Sequence, residues 1–120
     1  MKGANTQVVV VARWQVSDDR LGEVLSHVAE LRECSLAEQG CLGYEVFHGL
    51  GEPTTVLLLE RYRDDAALEA HRQSTHYQTL AVGRILPLLA KREVNILRPR
   101  EPGGAQPHDP VEFYPSRQGA

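Results

Sequence analysis

The 120-residue chain lacks most of the features from which membrane, nucleic-acid and cofactor functions are commonly built. No apolar run approaches the roughly 18 residues that a membrane span needs. The start, MKGANTQVVVV, has neither the longer apolar stretch nor the small-residue cleavage site of a secretion signal. A cytoplasmic protein with no membrane partner is the expectation. Lysine and arginine form no block and the formal net charge is -3, so no nucleic-acid partner is expected either. Cysteine is scarce. Cys34 and Cys41 belong to no CxxC or Cys/His cluster, which argues against zinc. A disulfide across a helix-to-strand turn and two reduced, half-buried thiols both stay open. There is no glycine-rich phosphate loop, no GxSxG, no dinucleotide fingerprint and no HExxH. No flavin, nicotinamide or haem site is expected, which leaves chemistry run by side chains and the substrate itself.

What is present amounts to one domain. Residues 7–16, QVVVVARWQV, are β-branched and alternate as a strand whose two faces both begin apolar. SDD at 17–19 offers capping oxygens, and Leu21, Val24, Leu25, Val28 and Leu31 then recur at helical spacing. Gly40 is expected to close that helix as a left-handed cap. LGYEVFHG (42–49) and TTVLLLERYR (54–63) read as a hairpin around the GLGEP turn. Asp64 and Asp65 open a second helical region that runs, with a break, to about Arg92, and Pro87 bends it or ends a segment. EVNILRP (93–99) is the fourth strand. Residues 1–100 therefore form the domain, and 101–120, rich in proline and glycine, an extended tail. VEFYP is the tail's one apolar island, suited either to docking or to disorder.

The order β-α-β-β-α-β is the ferredoxin-like, split βαβ arrangement of an α+β fold. Two helices cover one sheet face and leave the other bare. Val9, Val11, Leu57 and Leu59 fall on the bare face, and exposing them is unfavourable by about 25 cal/mol per Å². A homodimer, sheet against sheet, is the expected remedy.

His71 and His76 lie five apart, roughly 140° on a continuous helix, whereas a helical metal pair wants three or four. No third ligand is evident nearby, and no metal is expected. His71 shares its side with the apolar Ala67 and Leu68; a core histidine with satisfied hydrogen bonds and a proton acceptor both fit. Glu60 interrupts an apolar strand face with Val56 and Leu58, so it needs a hydrogen bond or a cation. Either a structural partner or an acid or orienter beside His71 would supply a reason. Trp14 and Tyr44 bring flat walls with polar tips, either as core or around a planar ligand.

Three stretches together resemble the antibiotic biosynthesis monooxygenase family: EQGCLGYEVF (38–47), LLLERYRDDAALEAHRQSTHY (57–77) and EVNILRP. The similarity covers residues 7–99 and is nearest to small bacterial quinol monooxygenases, which share LEAH and the following histidine. It implies a dimeric α/β barrel of two ferredoxin-like subunits that oxidises a small aromatic, phenolic or quinol-like substrate with O2 and no cofactor. His71 matches the family's helix histidine, as base or hydrogen-bond partner, with Glu60 beside it. Trp14, Tyr44 and His76 would orient the substrate. Haem-degrading relatives carry asparagine, tryptophan and a ligating histidine where this chain has Ala12, His71 and Ala81, which disfavours that activity. The asparagine–tryptophan–tyrosine set of polyketide-tailoring members is also missing. Two other functions fit the same fold: a non-catalytic stress-response or ligand-binding dimer, and an isomerase of small phosphorylated sugars using Arg72 and Arg84.

Overall fold

The computed structural model describes residues 5–100; the tail lies outside the described residues. Four antiparallel strands form one sheet in the order β2-β3-β1-β4. They are β1 (Val8–Val16), β2 (Cys41–His48), β3 (Thr55–Tyr62) and β4 (Leu89–Leu97). Helices α1 (Leu21–Leu36), α2 (Asp65–Gln73) and α3 (Tyr77–Ile85) complete the ferredoxin-like α+β fold, α3 being wound as a π-helix. A 3-10 turn, Leu86–Leu88, holds Pro87 and ends the helical region there, short of the expected Arg92. Among the described residues no helix is long and apolar enough to cross a membrane.

Alternation along β1 sorts its side chains. Val8, Val10, Ala12, Trp14 and Val16 are buried, while Val9 and Val11 are only half-buried. The register carries that division across the sheet: Val10 pairs with Glu60 and Ala12 with Leu58 on β3, and Ala12 with Val94 on β4. Tyr44 on β2 pairs with Glu60. These residues share the face under the helices, where Val24, Val28, Leu31, Leu68, Leu80 and Ile85 close the core. Each such large apolar side chain contributes about 1.5–3 kcal/mol on burial. Leu57 and Leu59 lie with Val9 and Val11 on the opposite, half-exposed face, as the alternation predicts, and Phe47 there is 48% exposed.

Three local expectations are corrected. The helix cap after SDD is not a side-chain cap: Ser17–Arg20 makes a turn, with Arg20 N–H donating to the Ser17 carbonyl and Asp19 at φ 61°. The N-cap of α1 is Arg20, without a side-chain hydrogen bond. Gly40 does not cap α1, which ends four residues earlier at Leu36 with Ala37 in right-handed helical conformation. Gly40 is instead a point of close approach: a Cβ there would stand 2.4 Å from Cβ of Ala67 on α2. Finally, β4 begins at Leu89 rather than at 93, because the long β1 pairs with it from Val9↔Leu97 to Gln15↔Lys91 and, past a register shift, at Val16↔Leu89.

Candidate active site

A break in the second helical region builds the site. Asp64 starts α2 by accepting a hydrogen bond from the Ala67 amide at 2.8 Å, which fixes the helix phase and buries Ala67, Leu68 and His71. Ser74 then leaves helical geometry at ψ 153°. Its hydroxyl donates to the His71 carbonyl at 2.6 Å and accepts from the Tyr77 amide at 3.1 Å, so one side chain ends α2 and starts the next turn. The change of direction defeats the 140° separation expected of a continuous helix. His71 and His76 turn to the same side, with ring centroids 6.0 Å apart.

Both rings meet a carboxylate that the spacing of the histidines could not reveal. Glu38, in the connection between α1 and β2, is held by two turn bonds, its own amide to Ser35 and the Cys41 amide to its carbonyl. Its Oε2 lies 2.8 Å from His71 Nδ1 and 2.5 Å from His76 Nε2. A carboxylate accepts, so Nδ1 of His71 is the ring nitrogen that donates, and the neutral ring keeps its lone pair on Nε2. Burial pulls the His71 imidazolium below the usual histidine range, while the hydrogen bond and charge of Glu38 pull the other way.

On the Nε2 side lies a small, partly open cavity of about 40 Å³. Trp14, Tyr44, Glu60 and His71 all line it, as the sequence led us to expect. His76 does not: it faces Glu38 on the far side of His71, so the structure gives it no direct contact with the cavity. Arg72 is a lining residue, whereas Arg84 is exposed and outside it. Tyr77 and Arg92, which sequence reasoning passed over, also line the cavity and hydrogen-bond each other.

Glu60 has a buried carboxyl whose Oε1 accepts from the Tyr62 hydroxyl at 2.6 Å and stands 3.9 Å from His71 Nε2. Burial pushes it from the ordinary 4.5 up to about 7, against the opposing pull of the Tyr62 hydrogen bond and the charge of Arg72. Burial also raises the phenols of Tyr44, Tyr62 and Tyr77, which therefore stay neutral donors. The indole N–H of Trp14 is buried without an acceptor among the described residues. Cys34 and Cys41 are both free thiols, and burial raises that of Cys41.

The arrangement is an imidazole oriented by one carboxylate, with its basic nitrogen toward a sheltered hollow that a second carboxyl, raised to about 7 by burial, also lines. Residues 7–82 match the model of the antibiotic biosynthesis monooxygenase family. The chain is 34% identical over 71 residues to a Bacillus subtilis protein named "Putative monooxygenase YcnE", an overlap of 59% of this chain and 75% of that one. Its fold is similar to the crystal structure of a conserved Methanosarcina mazei protein, with TM-score 0.76 and 30% identity over 80% of this chain and 95% of the other. It is likewise similar to the structure of Rv0793 from Mycobacterium tuberculosis, with TM-score 0.74 and 27% identity over 82% and 99%. With the match spanning most of the sheet and all of α2, this chain belongs to the antibiotic biosynthesis monooxygenase family.

Proposed function

We propose that the protein is a cofactor-independent monooxygenase that oxidises a small phenolic or quinol-like aromatic with O2. The observation that carries this reading is the Glu38–His71 pair with Nε2 on the cavity side. A neutral imidazole there takes the acidic proton of a phenol or aromatic enol, and Glu38 stabilises the imidazolium that forms. The resulting anion is electron-rich enough to pass an electron to O2, and recombination forms a peroxide on the substrate carbon. Collapse of the peroxide leaves one oxygen as a new carbonyl; the other departs as water, carrying the hydrogen of that ring carbon and the hydroxyl proton first taken by His71. Glu60, raised to about 7 by burial, passes a proton to the departing oxygen and regains one from the ring carbon. The neutral hydroxyl of Tyr44 and the Trp14 N–H are dipoles for the anion.

Substrate entry has a physical requirement. The hollow holds only a few waters, so an aromatic ring displaces the half-buried lining side chains Arg72, Tyr77, Leu86 and Arg92. The cationic ends of Arg72 and Arg92 favour a substrate that becomes anionic. Partial opening to solvent favours this reading over a sealed binding dimer. The phosphorylated-sugar alternative keeps Arg72 but loses Arg84. The half-exposed apolar face with Leu57, Leu59 and Phe47 supports a sheet-to-sheet homodimer as the working form.

The test is O2 uptake with a panel of quinols and anthrones, wild type against His71→Ala. Uptake by the wild type that falls about 10²–10⁴-fold in the variant is expected for loss of a general base. Equal rates remove His71 from the mechanism, and no turnover by the wild type on any compound refutes the reading.

A further inference from the structure

The far side of His71 carries a third group, His76, that the reaction above does not use. Oε2 of Glu38, Nδ1 of His71 and Nε2 of His76 all lie within 4.8 Å of one another. Two imidazoles and one carboxylate on a common side are a donor set for a divalent transition-metal ion, and His2Glu is an established zinc set. Around a tetrahedral ion with bonds of 2.0–2.1 Å, donor atoms sit about 3.4 Å apart. The two contacts present, 2.8 and 2.5 Å, open to that spacing with movements under about 1 Å. Access exists as well. The side chain of His71 is 3% exposed, but those of Glu38 and His76 are 18% and 21% exposed, so an ion arrives from solvent without crossing the catalytic cavity.

We propose that Glu38, His71 and His76 form a binding site for a divalent zinc-type cation, and that the bound ion silences the base. The ion takes the lone pair of Nδ1 and replaces the proton there. A neutral ring keeps one proton, so that proton now sits on Nε2. The nitrogen facing the cavity changes from acceptor to donor and no longer removes a proton from substrate. Glu38 exchanges its two histidine hydrogen bonds for one metal bond, and His76 supplies the third ligand. The bonds to metal hold the ring where Glu38 held it, so the switch needs no change of fold. This assigns His76 a role that its separation from the cavity otherwise leaves without explanation. Binding stands by itself; only the loss of the base rests on the function proposed above.

Both halves are measured on the full-length, tag-free chain. Zn2+ is titrated calorimetrically into wild type, Glu38→Gln and His76→Ala, and Co2+ into the same proteins for its visible bands. Correlation spectra of the imidazole nitrogens report which ring nitrogen of His71 holds the proton. The expected result is one ion per chain, weakened at least ten-fold in each variant, and a ring N–H that moves from Nδ1 to Nε2 on loading. Glu38→Gln keeps the side chain's shape, and His76→Ala truncates a partly exposed one, so both variants are expected to fold; far-UV circular dichroism checks it. Absence of binding, equal binding by all three proteins or an unmoved ring proton would overturn the site. These readouts need no turnover and stand whether or not a quinol is oxidised. Where a substrate does turn over, stoichiometric Zn2+ lowers the rate at least ten-fold and a chelator restores it; a rate indifferent to bound zinc refutes the link to the base.

Discussion

Glu60 gives the family site a measurable signature in stability. Its carboxyl is buried, and burial raises it from 4.5 to about 7 in the folded chain. A carboxyl whose folded value lies above its unfolded value binds its proton more tightly when folded. Stability is therefore retained below the unfolded value and lost as pH rises from about 4.5 to about 7. At 1.36 kcal/mol per tenfold change in proton affinity, the loss reaches about 3 kcal/mol above pH 8. Glu60→Gln has nearly the same shape, still accepts the Tyr62 hydroxyl bond, and has no proton to lose. Urea unfolding of both proteins at matched concentration, with EDTA present, isolates the effect, because every other titrating group is common to the two. The variant's advantage is expected to grow by about 3 kcal/mol between pH 4.5 and pH 8.5. Parallel stability profiles across that range would show that Glu60 is not held in a low-dielectric site, and its role as proton donor would go with it.

Two further outcomes test the scaffold. Gly40→Ala forces a Cβ against Ala67, where 2.4 Å is far inside contact distance, and is expected to destabilise by about 1–3 kcal/mol, seen as a lower thermal midpoint. A midpoint unchanged from wild type would mean that α2 is free to move off β2. On the bare sheet face, Leu59→Asp places a charge where a second subunit is expected; sedimentation should change from dimer to monomer. A wild type that sediments as a monomer at micromolar concentration defeats the dimer directly.

Strands and helix faces were legible because burial leaves periodic traces. The β-branched alternation of β1 and the Val24–Val28–Leu31 stripe of α1 each identify their element from neighbours in the chain. The start of β4 left no such trace. Ala90, Lys91 and Glu93 are exposed, and their strand conformation comes from pairing with β1 rather than from their own character. Gly40 was misread for a related reason: a glycine after an amphipathic helix fits a cap and a close approach equally, and only Ala67, far along the chain, decides between them. Within the site, Trp14, Tyr44, Glu60 and His71 could be picked out as polar or aromatic interruptions on apolar faces. Glu38 could not, since it lies in a polar turn where a glutamate is unremarkable by itself. A break at Ser74 was conceivable from sequence, but its consequence, two histidines on one carboxylate, depends on a contact spanning 33 and 38 residues.

The most direct measurement is a crystal structure of the protein grown without O2 and soaked with a quinol that turns over in air. A phenolic oxygen within about 3 Å of Nε2 of His71, with the ring between Trp14 and Tyr44, is the expected result. A quinol bound elsewhere, or seated in the cavity with its hydroxyl turned away from Nε2, would contradict the assignment of His71 as the base.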